Sequence, residues 1–239
     1  MIEVVPAILP KNYEDLKNKV SFVRGIVPIV QVDICDGVFV PSMTWPFLAP
    51  NQNGGVSRAE LDQHFQNILN EQEGMPFWED IEFELDLMVH DAVENFDIYT
   101  KLGPKRILFH LEAVGDLENF KNFLEGIDMY VRDTIEIGVA MNPSTPTEQF
   151  FPFSGVVDCV QLMGNDTIGQ QGIELDETVY EKVREIRDRY SDLPISVDIG
   201  VNENTAVRLV EAGVTRLVMG SAIFNSNDII STIENFRNI

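Results

Sequence analysis

The sequence predicts a (β/α)8 barrel, because short apolar strands alternate eight times with amphipathic helices along the whole chain. The predicted strands are almost continuously apolar, which is typical of parallel strands covered on both faces. Crossovers between parallel strands are right-handed, and eight such units close most simply into a barrel. A doubly wound open sheet is the alternative, but PAILP stands after the first strand instead of a GxGxxG motif. The length of 239 residues is within the range of one barrel.

The predicted strands cover residues 3–8, 29–34, 81–88, 106–110, 134–141, 156–163, 195–198 and 216–219. The predicted helices cover residues 12–24, 57–71, 93–102, 116–125, 176–189, 204–212 and 227–237, with a short helix beginning near 147. Asn12 is the expected N-cap of the first helix, and Ser57 with Glu60 forms a capping box before the second. The connection 41–80 after strand two is unusually long, yet it is too short for an independent core. One domain over residues 1–239 is therefore expected, with 41–80 as an elaborated βα connection.

The composition limits the kinds of partner that the protein can have. Hydrophobic residues make up 44% of the chain, which is enough for a large core. The chain carries 39 acidic and 17 basic residues, a formal net charge of −22. This balance argues against nucleic acid or an anionic membrane as a partner, since both need a Lys/Arg surface. An anionic substrate would have to be held by backbone amides or by a metal.

Cysteine usage and hydropathy favour a cytoplasmic protein. Cys35 and Cys159 both lie in apolar, strand-like surroundings, and they form neither a disulfide framework nor a CxxC zinc motif. The N-terminus MIEVVPAILP lacks the basic region and the length of a signal peptide, and no apolar run reaches the length of a membrane span.

Two predicted strands end on an aspartate followed by glycine. Asp33 ends strand two, shortly before the turn pair Asp36-Gly37, and Asp198 ends strand seven, shortly before Gly200. The carboxyl ends of all strands meet at one mouth of a barrel, where active sites lie, and these two strands lie on opposite sides of it. Two facing carboxylates can remove a proton from one side of a carbon acid and return one from the other. The alternative for Asp33 is a strand end followed by an ordinary Asx turn.

Further polar residues are placed at the same mouth. Asp86 lies in strand three, His110 and Glu112 end strand four, and Asn142 follows strand five. Small residues whose free amides can hold a phosphate also lie at this mouth. Gly200 follows strand seven, Gly220 and Ser221 follow strand eight, and Gly169 lies in the loop after strand six. These glycines could alternatively serve as turn residues only.

Several motifs, in order along the chain, resemble those of the ribulose-phosphate 3-epimerase family. They are PAIL (6–9), VDICDGVFVPSMT (32–44), LMV (87–89), HLEA (110–113), NPSTP (142–146), QLM (161–163), VDIGVNENTAVRLVEAG (197–213) and GSAIF (220–224). The resemblance implies a TIM barrel that inverts the carbon next to the ketone of a pentulose 5-phosphate, using two aspartates and a divalent metal. Asp33 and Asp198 match the two aspartates. The resemblance also implies a homo-oligomer.

The chain departs from the family at the metal site. Gln31 and Asp86 stand where the family has its two metal-binding histidines, and the loop N-P-G-F-G-G-Q is reduced to NDTIGQQ at 165–171. The metal ligands would then be an all-oxygen set, Gln31, Asp33, Asp86 and Asp198. Oxygen ligands favour Mg²⁺ or Mn²⁺ over Zn²⁺. No organic cofactor is expected.

The sequence therefore predicts an epimerase acting on a phosphorylated ketose, with Asp33 and Asp198 as its acid/base pair. Two alternatives stay open. The chain could be a sugar-phosphate-binding protein that lost the metal site and turnover. It could also be a related isomerase or a lyase on the same barrel, although the D-x-K-x-x-D pattern of the decarboxylase/synthase branch is absent because no lysine lies near Asp33.

Overall fold

Eight parallel strands form a closed barrel in chain order, β1 to β8. The structure, a computed structural model, describes residues 2–47 and 61–239. The barrel closes because β1 pairs in parallel with β2 on one side and with β8 on the other. The predicted (β/α)8 fold is confirmed.

The strands agree closely with the prediction. They are β1 (Glu3–Ile8), β2 (Ile29–Cys35), β3 (Glu82–Met88), β4 (Arg106–His110), β5 (Glu136–Met141), β6 (Cys159–Met163), β7 (Ile195–Asp198) and β8 (Arg216–Met219). The predicted sixth strand began too early, at 156. The amides of Val156 and Val157 donate instead to the carbonyl of Phe153, which ends the preceding turn. Regular pairing with β5 therefore begins only at Cys159.

The described residues contain α1 (Tyr13–Val23), α2 (Gln63–Leu69), α3 (Phe96–Thr100), α4 (Leu117–Glu125), α5 (Met129–Arg132), α6 (Thr178–Arg189), α7 (Glu203–Ala212), α8 (Ser221–Phe224) and α9 (Ile229–Arg237). The short helices α5 and α8 were not predicted. The segment after 147 forms two 3-10 turns, Thr147–Gln149 and Phe151–Phe153. All helices of the described ranges are too short or too polar to span a bilayer.

Helix N-caps show where local prediction was right and where it was not. Asn12 caps α1 by accepting from the amide of Asp15, as predicted. For α2 the cap is Asp62, whose carboxylate accepts from the amides of His64 and Phe65. The predicted capping box of Ser57 and Glu60 lies outside the described residues.

The core has two parts, separated by the barrel wall. Between strands and helices, large apolar side chains such as Leu16, Phe109 and Ile186 are fully buried. Inside the barrel, one apolar group contains Val5, Ala7, Ile29 and Val218, from β1, β2 and β8. A second apolar group near the mouth contains Cys35, Val40, Met88, Ala140, Met163 and Ile168.

The lower part of the barrel interior also holds a buried ion network around Glu84. Its fully buried carboxylate accepts from Nη2 of Arg216 at 2.6 Å and from Nη1 of Arg106 at 3.2 Å. Each arginine has a further acidic partner nearer the surface, Glu3 for Arg216 and Glu136 for Arg106. Since Glu84 lies two residues before Asp86 on β3, this network lies one layer below the mouth.

Replacing Arg216 by methionine should destabilise the fold by about 3–5 kcal/mol, because the Glu84 carboxylate would keep only one of its buried cationic partners. Urea unfolding monitored by circular dichroism measures the loss. The matched control is Arg208→Met, which removes an exposed arginine paired with Glu177 and should change stability little. Equal losses in the two variants would contradict this assignment.

Candidate active site

Three aspartates from three strands meet at the carboxyl end of the barrel. Asp33 and Asp86 are paired neighbours on β2 and β3, and Asp198 is the last residue of β7. One carboxylate oxygen from each lies within 4.8 Å of the others. All three side chains are buried. The structure thus brings together the predicted acid/base pair and the third predicted carboxylate.

Gln31 connects the two carboxylates of the predicted acid/base pair. It lies two residues before Asp33 on β2, so both side chains point into the barrel. Its Nε2 donates to Oδ1 of Asp33 and to Oδ2 of Asp198, both at 2.8 Å. Its Oε1 is buried and has no hydrogen-bond partner among the described residues. Asp33 and Asp198 are therefore held on either side of one amide group.

Burial and mutual repulsion favour the protonated forms of this pair. Burial raises the pKa of Asp33 well above its ordinary value, and the charges of Asp198 and Asp86 raise it further. Burial also raises the pKa of Asp198 to about 7, with the charge of Asp86 as the next cause. Near neutral pH the pair can thus hold both a carboxylate and a carboxylic acid, which is the arrangement that acid/base chemistry at carbon requires.

Asp86 has its own partners on the barrel wall. His110 Nε2 lies 2.7 Å from Oδ1 of Asp86, and Gln161 Nε2 donates to Oδ2 at 3.4 Å. Burial opposes the charged imidazolium, yet the charge and hydrogen bond of Asp86 raise the pKa of His110 overall. The sequence placed His110 at the mouth without a role, and it did not single out Gln161 as a site residue. The signal for Gln161 was available, since it is the polar residue on the inward face of an otherwise apolar strand.

An apolar roof covers the three aspartates. It consists of the mouth group of the core, to which Phe39 and Ile199 are packed. The ring of Phe39 lies 5.5 Å from the ring of His110. Asp36 forms the predicted turn that leads to Phe39, because its Oδ1 accepts from the amides of Val38 and Phe39. The roof shields the carboxylates from water and so strengthens their interactions.

A cavity of about 310 Å³ leads from Asp33 and Asp198 to the predicted phosphate residues. Its wall includes all four of them: Gly169, Gly200, Gly220 and Ser221. A Cβ on Gly200 would lie 2.4 Å from the amide nitrogen of Leu175, and one on Gly220 would lie 2.6 Å from Nε2 of Gln171. Gly200 also has φ +74°, so a side chain there would be strained as well as crowded. Gly200 therefore serves close approach of backbone as well as a turn, whereas the contact at Gly220 is with the end of a flexible side chain.

The lining of this cavity suits an anion bound without cationic side chains. Among the described residues that form its wall there is no lysine or arginine. Asn202 caps the start of α7 beside Gly200, and the free amides of a helix N-terminus favour negative charge.

Glu112 and Asn142, which the sequence also placed at the mouth, lie outside this cavity wall. Oε1 of Glu112 accepts from the amide of Asn142 at 2.8 Å and from the hydroxyl of Thr145. The two residues therefore organise the loop after β5.

The cluster of aspartates fits a divalent cation. Three buried carboxylates share one site, and among the described residues His110 is the only basic side chain in direct hydrogen-bond contact with them. If the side-chain amide of Gln31 rotated by half a turn, Oε1, which has no hydrogen-bond partner among the described residues, would take the place of Nε2 beside the carboxylates. Carboxylate and amide oxygens are the donors that hard divalent cations prefer.

Without metal, the protein should lose stability as the pH rises from about 5 to about 8, because folded Asp33 and Asp198 bind protons more tightly than the unfolded chain. The raised pKa of His110 acts in the same direction. Urea unfolding in EDTA at several pH values measures this slope. Asp198→Asn should flatten the slope, while Asp97→Asn at an exposed position should not. A slope unchanged by Asp198→Asn would contradict the pKa assignment.

Comparison with known proteins identifies the family of the chain. The model of the Ribulose-phosphate 3 epimerase family matches residues 3–224. The ribulose-phosphate 3-epimerase of Bacillus subtilis is 28% identical, with 99% of both chains covered. That of Helicobacter pylori strain J99 is 27% identical, with 100% of this chain and 98% of the relative covered.

Solved structures support the fold alone, because their sequence identity is low. KGPDC from Streptococcus mutans has a TM-score of 0.66 at 13% identity, covering 99% of this chain and 96% of that chain. A 3-hexulose-6-phosphate synthase has a TM-score of 0.62 at 16% identity, covering 100% and 99%. With the family match spanning nearly the whole barrel, the chain belongs to the ribulose-phosphate 3-epimerase family.

Proposed function

We propose that the protein is an epimerase that acts on a phosphorylated ketose and inverts the carbon next to the ketone, as the names of its relatives suggest for ribulose phosphate. The observation that carries the proposal is the pair of Asp33 and Asp198. The two carboxylates flank the Gln31 amide and open into a cavity whose far wall is rich in glycine.

In the proposed reaction, one aspartate removes the proton from C3 of the ketose and the other delivers a proton to the opposite face. The two residues exchange roles in the reverse direction, because the reaction is reversible and each epimer is the substrate of one direction. The raised pKa values of the pair allow one member to be a carboxylate while its partner is a carboxylic acid near neutral pH. The apolar roof keeps water from supplying competing protons.

The phosphate group of the substrate would lie at the other end of the cavity. Backbone amides around Gly200, Gly220 and Ser221, with help from Gly169, would hold it. This placement explains how a chain with a formal charge of −22 binds an anion without a lysine or arginine in the cavity wall. Fixing the phosphate also fixes the distance of C3 from the two aspartates.

A divalent cation would be held by Asp33, Asp86 and Asp198, with Oε1 of Gln31 as a further oxygen ligand. We expect Mg²⁺ or Mn²⁺ in preference to Zn²⁺, since the set contains no nitrogen or sulfur ligand. When bound, the cation supplies positive charge for the ketone oxygen, on which negative charge develops during proton removal.

The remaining expectations about the setting of the protein stay predictions. They are a single domain over residues 1–239, a homo-oligomer, a cytoplasmic location and the lack of nucleic-acid or membrane partners.

Asp33→Asn and Asp198→Asn should each lower proton exchange at C3 by about 10²–10⁴-fold, because each removes one acid/base group. Nuclear magnetic resonance of ribulose 5-phosphate incubated with protein in heavy water, with Mg²⁺ or Mn²⁺, measures the exchange. The control Glu177→Gln changes an exposed carboxylate and should leave exchange unaltered. Near-normal exchange in either aspartate variant would refute the two-aspartate mechanism.

The same samples separate the alternative functions. A sugar-phosphate-binding protein would show a thermal shift with ribulose 5-phosphate and no exchange under any metal. A related isomerase or lyase would yield an aldose phosphate or a shortened product in place of the C3 epimer.

The double variant Gln31→His, Asp86→His should shift metal preference toward Zn²⁺, because two imidazole nitrogens would replace two oxygen ligands. Mass spectrometric metal analysis, after equilibration with equal Mn²⁺ and Zn²⁺, measures the preference. We expect a lower ratio of bound Zn²⁺ to bound Mn²⁺ in the wild type than in the variant, because Zn²⁺ gains more than Mn²⁺ from imidazole ligands. Equal ratios in the two proteins would contradict the oxygen-ligand proposal.

A further inference from the structure

The partners of Asp86 differ in kind from those of the other two aspartates. Its Oδ1 is held by His110 Nε2 at 2.7 Å and its Oδ2 by Gln161 Nε2 at 3.4 Å. These donors come from β4 and β6, on the wall of the barrel interior. The carboxylate is thus held through both oxygens by side chains that do not line the cavity.

His110 and Gln161 make almost no other polar contacts among the described residues. Both are completely buried, and the remaining polar atom of each, Nδ1 of His110 and Oε1 of Gln161, has no hydrogen-bond partner. Glu112 lies 4.0 Å from Nδ1, beyond hydrogen-bond distance. Burying half-satisfied polar side chains lowers stability, and apolar side chains would avoid this loss. Their shared contact, Asp86, indicates what these two residues are for.

We propose that His110 and Gln161 are positioning residues that hold Asp86 as a ligand of a divalent cation, an arrangement called here the Asp86 clamp. The proposal rests on the metal site included in the proposed function. It assigns a role to Gln161, which comes from the sixth strand.

The clamp is needed because the Asp86 carboxylate lies beside two others. Repulsion from Asp33 and Asp198 would push an unrestrained carboxylate out of the site, and rotation about the last side-chain bond of aspartate meets only a low barrier. Each carboxylate oxygen has two lone pairs, so the clamp leaves others free for a cation. Hydrogen bonds to a ligating carboxylate fix its direction, and losing them weakens metal affinity.

The ring of His110 is itself held in place. Phe39 packs against it with ring centroids 5.5 Å apart, and the position of His110 on β4 fixes where its side chain leaves the backbone. The clamp therefore gives Asp86 one defined orientation before a cation binds.

Calorimetric titration of the EDTA-stripped protein with Mn²⁺ tests the clamp. His110→Ala should raise the Mn²⁺ dissociation constant by about 10–100-fold, and Gln161→Leu should raise it in the same direction. His110→Gln should restore most of the affinity, since its Nε2 can reach the same oxygen. His64→Ala is the matched control, because His64 pairs with Glu73 and stacks on Tyr13 away from the aspartates.

Thermal unfolding in EDTA separates positioning from a purely structural role. A structural role would lower the melting temperature in EDTA and leave the dissociation constant unchanged. The clamp instead predicts a larger Mn²⁺ dissociation constant and a smaller Mn²⁺-induced rise in melting temperature. If His110→Ala does not fold, Gln161→Leu and His110→Gln still decide the matter through the same two measurements.

Wild-type affinity in both His110→Ala and Gln161→Leu would overturn the clamp while leaving the metal site intact. A wild type that binds no Mn²⁺ would overturn the clamp together with the metal site. Proton exchange at C3 measured in EDTA then shows separately whether the epimerase proposal stands.

Discussion

Electrostatic repulsion among three buried carboxylates at the mouth of the barrel constrains the polar interior of this structure. Asp33, Asp86 and Asp198 each place an oxygen within 4.8 Å of the others. At that separation two charges repel by about 3 kcal/mol for an effective dielectric constant of about 20. Three ionised carboxylates in this position would be unstable without compensation. Much of the polar interior of the barrel can be understood as that compensation.

The compensation does not come from the arginines inside the barrel. Arg106 and Arg216 are bound to Glu84, one layer below, and to acidic residues at the lower end. The aspartates instead receive hydrogen bonds from neutral amides and from His110, and the raised pKa values of Asp33 and Asp198 favour the protonated forms of those two residues. Protons and a divalent cation are therefore alternative ways of neutralising the same site. An acid/base enzyme can use both, since bound cation lowers the repulsion and retained protons serve as reactants.

The same scarcity of positive charge shapes the far end of the cavity. A chain with 39 acidic and 17 basic residues has little cationic surface to offer a phosphate. Glycine at 200 allows backbone to approach where a Cβ would collide with the backbone of Leu175, so amides can line the cavity instead. Amide dipoles fixed by the barrel can hold an anion there, whereas a lysine or arginine side chain would also be attracted to the carboxylates at the reacting end.

The sequence by itself determined the barrel and the positions of Asp33 and Asp198, because apolar periodicity and strand ends are local properties. It also identified the exchange of two family histidines for Gln31 and Asp86. Only the tertiary structure decided which groups touch. The hydrogen bond from Gln31 to Asp198 spans 167 residues, and the contact of Gln161 with Asp86 spans 75. Such pairs depend on strand register and barrel closure, which no local pattern encodes.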